Sequence, residues 1–143
     1  DLDMNTVEPA IGAQRMDKVY AWKSMLDMGI HTSGGSDAPV VSFDAMENIY
    51  FAVTRKNISG QPQEGWIPSE KMSVDEAVKL FTKNAAYASY TEDENGTIEV
   101  GKNADFVVLE KNIYDIDPDE IKATKVDMTV LGGEIVYERE VEE

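Results

Sequence analysis

Gly29-Ile30-His31-Thr32-Ser33-Gly34-Gly35-Ser36-Asp37-Ala38-Pro39-Val40 is the stretch on which the reading of this chain turns. Residues 30–36 read as a short buried strand. The carboxylate of Asp37 stands at its carboxyl end, with a turn directly behind it. A lone acidic residue at that end of an interior strand is where an α/β-barrel enzyme keeps its chemistry. A second reading is purely local, because Asp-Ala-Pro is good turn chemistry in its own right. On pattern alone the turn is the stronger of the two.

Upstream, Pro9 and Gly12 suggest a loop leading into a helix. Val19, Trp22 and Leu26 then recur at helical spacing and predict a helix over 17–28, with Gly29 where a helix ends. Helix, glycine and strand together make half of an α/β unit. Downstream, Ser42 is the expected N-cap of a helix whose apolar stripe is Met46, Ile49, Tyr50 and Val53. Residues 55–72 form a long loop with Gly60, Pro62, Gly65 and Pro68, and loops of that length are often functional. Ser73-Val74-Asp75-Glu76 matches a capping box, opening a helix to about Tyr90 with Val74, Val78, Phe81, Ala85 and Ala88 on one face.

After Gly96 the apolar period changes to two. Residues 97–100 and 104–109 read as strands around Gly101-Lys102-Asn103, and 126–131 and 134–138 as a hairpin about Gly132-Gly133. Between them, Asp117-Pro118-Asp119-Glu120 opens a short helix. Such a small sheet needs a partner surface for its apolar face. The change of period divides the chain near residue 91, giving expected parts of 1–91 and 92–143. The acidic end 138–143 is expected to fray.

Composition narrows the function classes. Among 143 residues, 28 acidic and 13 basic side chains give a formal charge of −15. Such a surface repels phosphate backbones and anionic membranes, so neither nucleic acid nor a lipid surface is an expected partner. Cysteine is absent, which removes disulfides and thiolate metal sites. No apolar run is long enough to span a membrane. The start, Asp1-Leu2-Asp3, carries neither an initiator methionine nor a signal-peptide pattern and fits a fragment; the expected location is the cytoplasm.

Five segments in order carry a family resemblance. They are Tyr20-Ala21-Trp22-Lys23-Ser24-Met25-Leu26-Asp27-Met28-Gly29, Gly35-Ser36-Asp37-Ala38-Pro39-Val40, Thr82-Lys83-Asn84-Ala85-Ala86-Tyr87-Ala88, the run 96–109, and Val130-Leu131-Gly132-Gly133-Glu134-Ile135-Val136-Tyr137-Glu138. The set resembles the C-terminal end of the amidohydrolase superfamily, in its YtcJ-like, family-3 branch. That resemblance implies an α/β fold: the C-terminal fragment of a metal-dependent (β/α)8 barrel, joined to part of a small β-sandwich. Residues 30–36 would then be the eighth barrel strand, with Asp37 pointing into a half-barrel pocket.

The resemblance also implies chemistry. Asp37 matches the family aspartate that ligates a divalent metal, zinc in this reading, and serves as the catalytic acid–base group. It would take a proton from metal-activated water and pass it to the leaving amine of a small amide or cyclic amide. Ser36 and Pro39 are the expected substrate-binding neighbours. The remaining ligands lie on strands outside this chain, so the fragment is expected to be inactive and free of metal.

His31, six residues before Asp37, would stand roughly 20 Å away on a regular strand and is no substitute ligand. Tyr20 and Trp22 are pocket candidates that amphipathic packing explains better; Arg15 is left open. Asn84 reads as a helix-end structural residue. An exposed barrel edge would favour a homo-oligomer. The alternative to a hydrolase is a non-catalytic acidic α/β binding or oligomerisation module.

Overall fold

The computed structural model describes residues 3–140. Helix α1 (Val7–Ile11) and a 3₁₀ turn (Ala13–Lys18) lead to α2 (Trp22–Asp27). The expected single helix over 17–28 is therefore interrupted: Tyr20 takes a left-handed φ of 47°, which no helix accommodates. Its end is as expected. Gly29 has φ 76°, its amide donates to the Leu26 carbonyl, and the Ile30 amide donates to that of Met25. That pair of bonds is a Schellman cap.

Residues 30–36 are extended but join no sheet among the described residues. This corrects the expected barrel strand. A strand exists only with a neighbour to bond, and no other described segment lies alongside to supply a ladder. The segment leans instead on helices, with the Gly34 amide donating to the Leu80 carbonyl at 3.0 Å.

Helix α3 (Ala45–Thr54) starts at Asp44, whose carboxylate accepts from the amides of Met46 and Glu47. Ser42, the expected cap, stands two residues early; its hydroxyl accepts from the Asp44 amide. Met46, Ile49, Tyr50 and Val53 are all buried, as their spacing requires. The loop beyond folds back on α3, the Trp66 amide donating to the Arg55 carbonyl at 2.7 Å and the Met72 amide to that of Ala52 at 3.1 Å.

Helix α4 (Val74–Phe81) opens on the complete capping box, with the Ser73 hydroxyl taking the Glu76 amide and the Glu76 carboxylate taking the Ser73 amide. The helix breaks at Thr82 (φ −126°, ψ −97°) and resumes as α5 (Lys83–Ala88). Ala77 and Leu80 form the buried line with Val74, Val78 and Phe81 beside it, while Ala88 is exposed, contrary to the expected stripe.

The sheet is antiparallel, in the order β1 (Phe106–Leu109), β2 (Val126–Leu131), β3 (Glu134–Glu138). Gly132 and Gly133 both take positive φ, the requirement of a tight hairpin turn between right-twisted strands. Residues 97–100 form no strand, and Ile98 and Val100 stand exposed. A 3₁₀ turn (Pro118–Ala123), capped by the Asp117 carboxylate, packs on α3. Ile113 and Ile121 thereby enter one core with Ile49, Tyr50, Met72 and Leu80. Among the described residues no helix is long and apolar enough to cross a membrane. Of the end expected to fray, residues 141–143 lie outside the described residues, while Glu138 belongs to β3 and the Arg139 amide donates to the Asp127 carbonyl at 2.8 Å.

Candidate functional site

The segment that carries Asp37 is positioned from behind by α4 and α5. Asn84 donates from Nδ2 to the Thr32 carbonyl at 2.9 Å, and the His31 ring stacks on Tyr87 at 4.3 Å. A Cβ on Gly34 would stand 2.7 Å from the Phe81 ring, so a side chain there would push the segment off the helix. Burial alternates along 31–36 with the period of an extended chain, Thr32, Gly34 and Ser36 being the half-buried positions.

A turn follows. The Val41 amide donates to the Ser36 carbonyl and the Val40 amide to that of Asp37, with the Ala38–Pro39 peptide cis. Asp37 takes φ 50°, a conformation Asp tolerates better than most residues. Its side chain and that of Pro39 are exposed, and Ser36 is half-buried. The three therefore share one turn. The exposure of Asp37 differs from the expected aim into a pocket.

A cleft of about 370 Å³ opens beside this turn. Gly34 and Gly35 line it from one end of the turn and Val40 and Val41 from the other, while Ser36, Asp37 and Pro39 do not. Tyr20 and Trp22, the pocket candidates of the sequence, are on its wall; Arg15 is not. Phe51, Trp66 and Leu80 add apolar surface.

Arg55 is the residue of this cleft that the sequence did not single out. It terminates α3 in a left-handed conformation (φ 58°) and is only 5% exposed. Its Nε donates to the Trp66 carbonyl at 3.1 Å and its Nη1 to the Tyr20 carbonyl at 3.4 Å. The guanidinium lies over both indoles, 5.5 Å from the Trp22 ring and 5.4 Å from Trp66. Burial lowers its pKa, opposed by the charge of Glu70. Glu70, also buried, spends its carboxylate on the Ser24 amide and hydroxyl. An arginine at the end of an apolar helix stripe, ahead of a loop with one tryptophan, is the only sequence signal for this arrangement.

As for a metal, no three His, Cys, Asp or Glu among the described residues are grouped so as to hold one. His31 is engaged with Tyr87, and Asp37 belongs to no such group.

Comparison with known proteins extends the reading beyond this chain. The chain is 38% identical over 137 residues to YtcJ of Bacillus subtilis (strain 168), itself assigned to the amidohydrolases; the match covers 96% of this chain and 26% of that protein. It is 36% identical over 122 residues to the N-substituted formamide deformylase of Arthrobacter pascens, covering 85% of this chain and 22% of the deformylase. The fold is similar to the crystal structure of an amidohydrolase from Thermotoga maritima MSB8, with a TM-score of 0.60 and 22% identity over 81% of this chain and 25% of that one. The chain thus spans about a quarter of the length of each. The Amidohydrolase family model matches residues 1–137, and on a match of that extent the chain belongs to the amidohydrolase family.

Proposed function

We propose that this chain is the C-terminal portion of an enzyme that hydrolyses C–N bonds of small amides or cyclic amides. In this reading residues 1–91 close a (β/α)8 barrel and residues 92–143 supply part of a small β-sandwich. The observation that carries it is the family match running the length of the chain while spanning a quarter of the relatives. A relative that removes a formyl group from a substituted nitrogen supports the bond type.

Asp37 is the residue we assign to the chemistry. At the tip of an extended segment pinned by Asn84, its carboxylate can accept a proton from an attacking water. As the C–N bond breaks, the same proton passes to the departing nitrogen. Such acid–base help is worth ~10²–10⁴-fold. Ser36 and Pro39, on the same turn, are the proposed substrate contacts.

The divalent metal implied by the resemblance, zinc in our reading, does not fit the residues present. A catalytic zinc needs about three protein ligands, and no group of three candidate ligands exists among the described residues.

The test joins this chain to the sequence encoded upstream of it and measures release of amine from substituted formamides. Asp37→Asn is expected to lower kcat ~10²–10⁴-fold at unchanged fold. An unaffected kcat removes Asp37 from the chemistry. A joined protein with no C–N hydrolase activity on formamides, linear amides or cyclic amides removes the proposal.

A further inference from the structure

Arg55 has more donors than the protein uses. A guanidinium carries five N–H groups in a fixed plane. The Trp66 and Tyr20 carbonyls take one each, through Nε and Nη1. Nη2 is buried and makes no hydrogen bond among the described residues. Buried donors are nearly always satisfied, because leaving one unmade forfeits its hydration outright. The charge is only partly compensated, by Glu70. Glu70 faces Arg55 only at a distance, its oxygens being committed to Ser24.

The surroundings define what would complete the site. Tyr20, Trp22 and Trp66 gather around the guanidinium, with ring centroids 5.1 Å apart for Tyr20–Trp22 and 5.7 Å for Tyr20–Trp66. The Trp22 and Trp66 rings hold the guanidinium at 5.5 and 5.4 Å, and the N–H groups left without a partner are the kind that take an oxyanion side-on. Phe51 and Leu80 extend the apolar wall. The volume of about 370 Å³ lies within the range of small-molecule sites.

We propose that this cleft binds a small organic carboxylate with an apolar body, the carboxylate on the Nη2 edge of Arg55 and the body against Trp22, Trp66 and Phe51. In a chain of charge −15, this cleft is lined by two cations, Arg55 and Lys56, against one carboxylate, Asp3, and that local balance lets an anion enter. The site stands apart from the Asp37 reading, since Asp37 does not line the cleft.

The two tryptophans of the chain both flank Arg55, so intrinsic fluorescence reports on this site without a label. The experiment titrates the chain with benzoate and with benzamide, its neutral isostere, at constant ionic strength. Benzoate is expected to give a saturable change, with benzamide about tenfold weaker or more, the worth of a charge-assisted hydrogen bond. Arg55→Lys, which keeps the charge and loses the fork, weakens benzoate; Asp37→Asn leaves it unchanged. Arg55→Met, with native circular dichroism, erases the preference. Should Arg55→Met fail to fold, the benzoate–benzamide comparison on the parent chain still decides. Equal affinity for the two, no saturable change over the millimolar range, or a preference that survives in folded Arg55→Met overturns the proposal.

Discussion

Asn84 and Thr32, 52 residues apart, are joined by a single hydrogen bond, Nδ2 of Asn84 to the Thr32 carbonyl at 2.9 Å. Among the described residues it is one of two polar links that hold the Asp37 segment to α4 and α5, the other being Gly34 to Leu80. The break at Thr82 makes both links possible. It turns α5 so that Asn84 faces the extended segment while the Leu80 carbonyl at the end of α4 accepts from it. Asn84→Ala removes the donor and leaves a half-buried carbonyl unpaired. The expected cost is about 1 kcal/mol, or roughly 2–4 °C in Tm. Exchange of the Gly34 amide should quicken alongside. A variant with unchanged melting and unchanged Gly34 protection would show that the segment is held by apolar contact with Phe81 alone.

Gly96 presents a second tight join, between the turn after α5 and the helix itself. It sits at φ +88°, and a Cβ there would lie 2.7 Å from the Ala86 Cβ and 3.0 Å from the Lys83 Cα. Neither neighbour can swing away, one being a methyl on a buried helix face and the other backbone. Gly101 has a similar φ of +98° but open space around it. Gly96→Ala therefore adds overpacking to strain and should cost about 1–3 kcal/mol more than Gly101→Ala. Denaturant melts of the two variants give the comparison, and equal losses would mean that backbone strain alone sets both.

What the sequence disclosed follows the range of the interactions. The Ser73–Glu76 capping box and the Gly132-Gly133 hairpin are settled within a few residues, and both are present as expected. The stripe Met46, Ile49, Tyr50 and Val53 reports burial without naming the partner, which is the Pro118–Ala123 turn. Residues 97–100 alternate as a strand should, yet a strand needs a neighbour, and periodicity does not supply one. Ser42 and Asp44 are both good caps; only the path of the chain decides that Asp44 meets the Met46 amide. Arg55 was illegible because its surroundings come from three places: its own helix, Trp22 before it and Trp66 in the loop after it. The Asp37 turn was legible as a turn, and its surroundings belong to the part of the relatives that this chain does not span.

The open edges of the chain lead to a prediction about mass. Strands β1 and β3 are both sheet edges, and they differ in protection. Glu134 and Glu138 bracket β3, whereas β1 is Phe106-Val107-Val108-Leu109 with no charge and with Val107 and Val108 exposed. Uncharged apolar edges pair with other chains. The chain is expected to run as a dimer or larger species in light scattering at tens of micromolar, and Val107→Lys to shift it towards monomer. A monomeric parent chain under those conditions refutes the pairing.

Acid should weaken the fold through carboxylates held below their ordinary range, Glu76 and Glu70 among them. Glu76 is held below the ordinary glutamate range, chiefly because the Ser73 amide donates to it at 2.8 Å, with the Ser73 hydroxyl and Lys23 assisting against burial. For Glu70 burial is the largest influence and pushes upward, but the Ser24 hydroxyl and amide, the Lys23 amide and the charge of Arg55 together outweigh it, and the net shift is downward. A depressed folded-state pKa means that the stabilisation is complete above the unfolded value of about 4.3 and is lost as pH falls through the lower folded values. The same acidification relieves self-repulsion in a chain of charge −15, so the raw curve mixes two opposing effects. The readout is therefore a difference. Urea midpoints of the parent and of Glu76→Gln should differ by a constant amount from neutrality down to about pH 5 and converge below about 4.3, since only the parent has a carboxylate left to protonate. A gap that persists unchanged to pH 3 would show that the capping carboxylate contributes nothing through its charge.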